Sequence, residues 1–481
     1  MKFIVKLFPE IMIKGGPEKR RMLNLLSENL KRLLHRIDKS IEVKRFHDKL
    51  EIKCADAFDA PVRQRLKNTP GVQQFLEVVA YDFNGDFDEV ARLTAQHCLH
   101  LIKDKTFVVR AKRTGAHKMT SSEIERHVGG YLFEQGESKG VSLKAPEVKV
   151  EIELHNNVLN LVSDRVQGMG GFPVGSQGQV LSLMSGGFDS TVASYLTMKR
   201  GLKTHFIFFN LGGDAHEIGV KQVALYLWAN FGASHRLKFI TVPFEEVVAE
   251  IFNASHESYM GVMLKRLMLK ASEKIADELG IDALVTGESV AQVSSQTLRN
   301  LSIIDESVDK LVLRPLAVMD KPDIMAIADQ IGTRQYAEAM PEYCGVISKN
   351  PVINASFTRM AREEGRFDMA VLDKAVENAV TVNVDEIIAD VNAKQAVPVI
   401  AEVPEGVRLI DIRRPDEAAA HPLGVPHEAI AFYDLKAAFK QFDPEQAFAL
   451  YCDKGVMSQL HAQYLIDAGW RNIKVFRPSA G

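Results

Sequence analysis

Two short runs carry the residue types that chemistry needs: Ser185-Gly-Gly-Phe-Asp-Ser190 and, far downstream, Tyr451-Cys-Asp-Lys-Gly-Val-Met-Ser458. In the first, glycines let backbone N–H groups approach an anion, serines add hydroxyl donors, and a helix starting behind the loop contributes a favourable dipole. This is a phosphate cradle. No Gly-Lys-Ser/Thr follows, so it is not a Walker loop, and the GxGxxG dinucleotide signature is absent. A purely structural Gly-Gly turn is the competing reading. In the second run, a strand leads into a cysteine loop and a helix follows from about Gln459. Backbone N–H groups and the helix dipole would there favour a thiolate or persulfide anion on Cys452. Together the runs suggest a chain that activates something with ATP and delivers sulfur to it.

Further candidates surround the cradle. Leu183, Met184, Ser185, Gly186, Gly187, Asp189 and Ser190 form its ATP-binding set. Leu284-Val-Thr-Gly-Glu-Ser289 ends a later strand in a glycine turn, and strand C-terminal ends are where such sheets bind ligands. Gly287 and Gln296 are therefore candidates for the adenine and ribose side. Lys265 and Arg266 can meet phosphate or, equally, snorkel as a surface pair. Lys321, in Asp320-Lys-Pro-Asp323, can stabilise charge developing at an attacked α-phosphate, or merely sit at a helix start with Pro322 at N1. Cys344, in Met340-Pro-Glu-Tyr-Cys-Gly-Val346, lies between a proline and a glycine that argue for a loop. It is either a reactive thiol or an exposed or half-buried one.

Alternating patterns predict the elements that must hold these groups. Strands Val180–Met184, His205–Phe209, Lys238–Val242 and Ala283–Val285 alternate with helical stretches, among them Thr191–Lys199 and Gly261–Leu279, which implies a parallel-sheet α/β domain. Ahead of it, seven of the eleven residues from Gly168 to Gly178 are Gly, Pro or Ser, the mark of a linker or ordered hinge. The front part reads strand Phe3–Leu7, helix Lys19–Ile37, strands over Ile41–Cys54, a short helix Val62–Lys67 and a strand Phe75–Tyr81, an α+β pattern of ferredoxin-like type. A second unit follows with helix Asp86–Lys103, strand Thr106–Ala111, helix Ser121–Glu134 and strands Glu147–Leu154 and Val158–Asp164. In the segment Arg110–Lys118 between its first strand and next helix, Arg110, Lys112, Arg113 and Lys118, with Lys105 upstream and His117, are expected to surround a glycine turn and to follow phosphates of a folded RNA, recognised by shape rather than base readout. A solvated loop is the alternative.

Composition agrees with several globular domains. The chain has 481 residues, 46% hydrophobic and 25% charged, too many for one typical core. Residues 1–170 hold 29 basic and 23 acidic side chains, whereas the remainder holds 30 and 39, so a polyanion-binding front precedes an acidic enzyme part. Four cysteines, Cys54, Cys98, Cys344 and Cys452, lack metal-ligand spacing, which argues against zinc; no metal beyond Mg²⁺ with ATP is expected. Cys54 and Cys98 read as core or surface thiols. No run approaches the roughly 18 apolar residues of a membrane helix, and the opening run is too short for a signal peptide, so a cytoplasmic location away from membranes is expected.

The Ser-Gly-Gly-x-Asp-Ser run resembles the PP-loop of ATP pyrophosphatases, which adenylate substrates and release pyrophosphate; the resemblance implies that Asp189 helps organise Mg²⁺ and the pyrophosphate, the alternative being that its carboxylate caps the helix. The front part resembles a THUMP domain behind a ferredoxin-like domain. Leu409-Ile-Asp-Ile-Arg-Arg-Pro-Asp-Glu417 and the Cys-x-x-Gly-x-x-Ser loop resemble a small rhodanese domain, with Met457 where stand-alone rhodaneses usually carry arginine. That departure favours a protein-bound persulfide over thiosulfate as donor. This order of domains is similar to the tRNA uracil 4-sulfurtransferase family, also tied to thiamine biosynthesis. The resemblance implies a multidomain α+β and α/β protein divided at 1–60 (ferredoxin-like), 61–166 (THUMP), 167–178 (linker), 179–393 (doubly wound parallel PP-loop domain) and 394–481 (rhodanese). It further implies formation of 4-thiouridine at uridine eight of tRNA, and sulfur donation to the carrier protein that serves the thiamine thiazole. ATP and Mg²⁺, a cysteine desulfurase as persulfide donor, a reductant and a homodimer follow from the same resemblance. Cys344 and Cys452 would end as a disulfide, whether the persulfide attacks the adenylated uracil itself or is first cleaved to sulfide. Their meeting requires the last domain to swing onto the catalytic face. The competing function is a persulfide carrier acting mainly on a protein partner, with an inactive PP-loop; a non-catalytic RNA scaffold is a third.

Overall fold

The computed structural model describes all residues except 212–213, 339–349, 388–396, 414, 433, 453–457, 459–460, 463–464, 467 and 479–481. Two compact units divide it, Met1–Pro173 and Val174–Gly481.

The first unit is built on one eight-stranded sheet. Strands β1 (Lys2–Leu7), β2 (Glu42–Arg45), β3 (Lys49–Lys53), β4 (Val72–Asp82), β5 (Thr106–Thr114), β6 (Gly140–Val141), β7 (Val148–His155) and β8 (Val158–Gln167) lie in the order β2-β3-β1-β4-β8-β7-β5-β6. Long β4 pairs with β1 on one side and β8 on the other, so the ferredoxin-like and following halves share a sheet. Each half keeps its own core. Helix Gly16–Leu34 presents Met22, Leu23, Leu26 and Leu30 at helical spacing to Phe3, Val5 and Phe75. In the other half, helix Ser121–Gln135 covers Phe107, Val109 and Ala111 with Ile124, Val128 and Leu132, and starts in a capping box between Thr120 and Glu123.

In the second unit, β9 (Gln179–Leu183), β10 (Lys203–Asn210), β11 (Lys238–Pro243), β12 (Ala283–Val285), β13 (Leu311–Leu313) and β14 (Val380–Asn383) are ordered β13-β12-β9-β10-β11-β14. All neighbours are parallel except edge strand β14, which runs antiparallel to β11 and which periodicity did not reveal. Six successive residues of β10, Thr204–Phe209, are buried, as expected of a strand covered on both faces. After β9 the chain adds β10 and β11 on one side and then returns to add β12 and β13 on the other. The C-terminal ends of β9 and β12 therefore face the crevice at which such sheets bind ligands.

A smaller parallel sheet follows, from β15 (Val399–Ile400), β16 (Val407–Asp411), β17 (Glu428–Ala429), β18 (Ala447–Tyr451) and β19 (Ile473–Phe476), ordered β15-β19-β18-β16-β17. Phe439, Phe448 and Trp470 pack beneath it at centroid distances of 4.8 to 6.0 Å. Among the described residues, no helix is long and apolar enough to cross a membrane.

Candidate functional site

The Ser185–Ser190 loop leaves β9 and turns directly into helix Phe188–Lys199, so the helix begins inside the motif rather than after it. Gly186 takes the left-handed conformation (φ +82°), which a side chain would disfavour. Ser190 Oγ lies 3.1 Å from both the Ser185 N–H and Ser185 Oγ and cross-ties the loop. Gly187 occupies the N-cap without a side-chain cap bond, so Asp189 is not spent on capping. Its carboxylate instead accepts from Lys321 Nζ and Gln292 Nε2, each at 2.8 Å. Lys321 is the first residue of helix Lys321–Ile331, next to a proline, and its ammonium reaches Asp189. Gly287 is needed where the loop after β12 crosses this turn. A Cβ there would lie 2.5 Å from the Asp189 carbonyl carbon and 2.6 Å from the Ser190 nitrogen.

A cleft of about 530 Å³ opens between these loops. It is lined by Leu183, Met184, Ser185, Gly187, Asp189, Ser190, Lys265, Gly287, Gln296 and Lys321; Gly186 supports the wall without lining it. Lys265 and Arg266 part company. Lys265 lines the cleft, and its Nζ contacts Glu288 Oε1 at 2.7 Å. Arg266 points away, 5% exposed, where Glu364 and Glu306 take its guanidinium at 2.6 and 2.9 Å and the Ile303 carbonyl also accepts. A phosphate-binding role for Arg266 is therefore corrected, because consecutive residues of a 3.6-residue helix project about 100° apart. Gln296 Oε1 is buried at the cleft without a hydrogen-bond partner among the described residues.

The five basic residues of the front unit do not converge on one turn. β5 runs to Thr114, past the predicted end at Ala111, so Lys112 and Arg113 join Arg110 on a strand where a loop was expected. At roughly 3.3 Å per residue, Lys105 and Lys118 lie beyond opposite ends of a strand roughly 30 Å long. All five are exposed, but Arg110 is held by Glu125 at 3.6 Å and by the Leu143 carbonyl at 3.3 Å. Lys112 and Arg113 stand near the end of β5, and Lys118 follows the turn at Gly115 (φ +107°).

Cys452 follows β18 directly and is 6% exposed. The Ser458 N–H points at its sulfur from 3.3 Å, with Ser458 Oγ at 3.5 Å. Cys344 and Met457 lie outside the described residues. Cys98 is buried, which pushes its thiol up to about 11, and Cys54 is also pushed up by burial; neither is poised as a thiolate. A ladder of rings joins the two parallel-sheet domains: Tyr226 to Tyr336 at 5.1 Å, Tyr336 to Phe432 at 4.5 Å, and Phe432 to His461 at 5.7 Å.

The family model for thiamine biosynthesis protein (ThiI) matches residues 175–369, that for the THUMP domain 84–164 and that for the ThiI ferredoxin-like domain 2–75. A tRNA sulfurtransferase of Pseudomonas putida is 48% identical over the whole of both chains. The chain belongs to the tRNA sulfurtransferase family. Further relatives under that name, from Shewanella amazonensis (46% identical, 99% of this chain and 100% of the relative) and Azotobacter vinelandii (47%, 100% of each), are matched end to end. A crystal structure of a 4-thiouridine synthetase in complex with RNA and bound ATP superposes with a TM-score of 0.70 at 26% identity, covering 79% of this chain and 99% of that one. As a tRNA sulfurtransferase family member the chain is a sulfur-transferring enzyme. Gln292, His216 and Glu288 also line its cleft, and sequence reasoning did not single them out. Gln292 stood in a polar run next to the Gly287 turn; His216, whose Nε2 meets the Ser185 carbonyl at 3.3 Å, carried no local signal.

Proposed function

We propose that the cleft adenylates a tRNA uridine with ATP and that sulfur from Cys452 then replaces the adenylate, giving 4-thiouridine at position eight. The observation that carries this reading is the meeting of Asp189, Lys321 and Lys265 around one cradle, in a chain matched end to end by tRNA sulfurtransferases. The cleft volume is within the usual range for a small-molecule site, and the orphaned Gln296 Oε1 would accept from the adenine amino group or a ribose hydroxyl. Leu183 and Met184 would border the base. The Asp189 carboxylate at the cradle would suit Mg²⁺ held mostly by phosphate oxygens, and the ion would offset charge on the leaving pyrophosphate.

Uracil O4 attacks the α-phosphorus and pyrophosphate leaves; Lys321 offsets the charge that develops. The outer sulfur of a Cys452 persulfide then attacks C4 and AMP departs. Cys344 thiolate attacks Cys452 Sγ, which releases the thiocarbonyl and leaves a Cys344–Cys452 disulfide for a reductant to open. In the other order, the Cys344 thiolate first attacks Cys452 Sγ, forming the same disulfide and releasing sulfide, which then attacks C4 and displaces AMP. A cysteine desulfurase loads Cys452, and the same persulfide serves the sulfur-carrier protein for the thiamine thiazole. Residues 394–481 act as the rhodanese domain, Lys105, Arg110, Lys112, Arg113 and Lys118 contact tRNA, a homodimer presents it, and the location is cytoplasmic.

The test is incubation with unmodified tRNA, ATP, cysteine and a desulfurase, followed by nucleoside analysis. 4-Thiouridine is expected; its absence while Cys452 is persulfurated overturns the reading. Cys344→Ser and Cys452→Ser should each abolish thiolation and leave pyrophosphate release intact, and full thiolation by either removes the relay.

A further inference from the structure

Glu288 leaves β12 in the Thr286-Gly-Glu288 turn and is almost fully buried, yet it is ion-paired on both oxygens. Lys265 Nζ stands 2.7 Å from Oε1; Arg314 Nε and Thr286 Oγ1 stand 2.9 and 3.0 Å from Oε2. Arg314 in turn grips Asp305 with both terminal nitrogens, at 2.9 and 2.6 Å. Burial pushes the Glu288 carboxyl up, but Lys265 and Arg314 outweigh it and hold it below the ordinary glutamate value.

The four groups form a row, Asp305, Arg314, Glu288, Lys265, that runs from a half-exposed carboxylate to an ammonium at the cleft wall. Its charges cancel, but their placement does not. Glu288 already has Arg314 as a counter-ion, so it can hold Lys265 in position without consuming all of the lysine's attraction for an incoming anion. A free lysine side chain samples many rotamers, and fixing it on a ligand costs that freedom. Anchoring it before the ligand arrives removes that cost from the binding step. A carboxylate buried for stability alone has no need to end its chain of pairs on a lysine that lines a pocket.

We propose that Glu288 is a positioning residue for the nucleotide step: backed by Arg314 and Asp305, it presents the Lys265 ammonium to the phosphates of ATP. This rests on the reading that the cleft takes ATP and that Lys265 meets its phosphates.

The experiment measures KM for ATP and kcat for pyrophosphate release, with unmodified tRNA, in the full chain and in Lys265→Met, Glu288→Gln and the double variant, with melting temperatures alongside. Glu288→Gln should raise KM about tenfold with kcat changed less than about threefold, and should raise it by less than about twofold in the Lys265→Met background, the non-additivity of residues acting as a unit. Independent effects that multiply in the double variant overturn the proposal. Should Glu288→Gln fold poorly, Asp305→Asn at the exposed end reads the same coupling: a KM increase of about threefold that vanishes without Lys265 supports it, and one that persists refutes it. If Lys265→Met leaves KM unchanged, the assignment of Lys265 to the nucleotide fails first, and the role of Glu288 falls with it.

Discussion

Asp189→Asn keeps the size of the side chain and removes its charge, so it separates what the Asp189–Lys321 pair does for stability from what it does for turnover. The lysine is 41% exposed and the aspartate 25%. Pairs so open to solvent stabilise a fold by only about 0.2–1 kcal/mol. At about 2–4 °C per kcal/mol for a domain of this size, melting should fall by no more than about 4 °C. The loss to chemistry is of another order. Asparagine cannot hold Lys321 as an ion pair or supply an anionic metal ligand. Loss of one preorganised electrostatic group typically lowers kcat by about 10²–10³, or ~3–4 kcal/mol. The assays are pyrophosphate release with unmodified tRNA, 4-thiouridine content, and persulfide loading of Cys452 by a desulfurase. The first two should fall together by at least about a hundredfold while the third is unchanged. A variant that keeps half or more of its thiolation would refute the adenylation chemistry assigned to this cleft and favour the competing persulfide carrier. A variant that loses thiolation only because it has unfolded would refute the weak-pair argument instead.

Gly287→Ala should cost about 1–3 kcal/mol and lose ATP binding, since the new Cβ meets the backbone of Asp189 and Ser190 rather than a side chain that can turn aside; calorimetry of unfolding and ATP titration check it. Phe432→Leu keeps apolar volume but removes the ring contact with Tyr336, worth about 0.5–1.5 kcal/mol, and should slow thiolation several-fold while sparing pyrophosphate release; equal slowing of both would show that the ring ladder does not serve sulfur delivery. Burial pushes the Glu364 carboxyl up, but Lys270 and Arg266 bring it below its ordinary value of 4.5. A carboxylate with a depressed folded value adds stability that is present above 4.5 and lost as pH falls through the lower folded value. Melting curves from pH 7 to pH 3 should therefore drop below about pH 4.5, and less steeply in Glu364→Gln.

The Ser185–Ser190 loop after its strand and the position of Cys452 after another were legible because each is a contiguous run whose local geometry depends on neighbours one to six residues away. The same locality made most of the elements readable, as with helix Met260–Glu278, predicted one residue later at each end. Failures occurred where local pattern is silent. Edge strand β14 is four residues long with no buried run, and β5 continues past its buried part into Lys112 and Arg113, where polar composition looks like loop. An eight-stranded sheet shared by two small halves depends on β4 pairing along both edges, which nothing in its own sequence specifies.

The sequence by itself determined that a glycine-serine loop follows the first strand of a parallel sheet and that a cysteine follows a strand near the other end of the chain. Alternating apolar runs and glycine placement act over a few residues, so a linear reading suffices. Only the tertiary structure decided which ionised groups face one another. Asp189 meets Lys321 across 132 positions, and Glu288 is shared between Lys265 and Arg314. Of the neighbours Lys265 and Arg266, one turns to the cleft and the other is buried against Glu364. The reason is that charge pairing depends on distance in space and on the side of a helix a residue occupies, and a step of about 100° per residue separates partners that the sequence sets side by side.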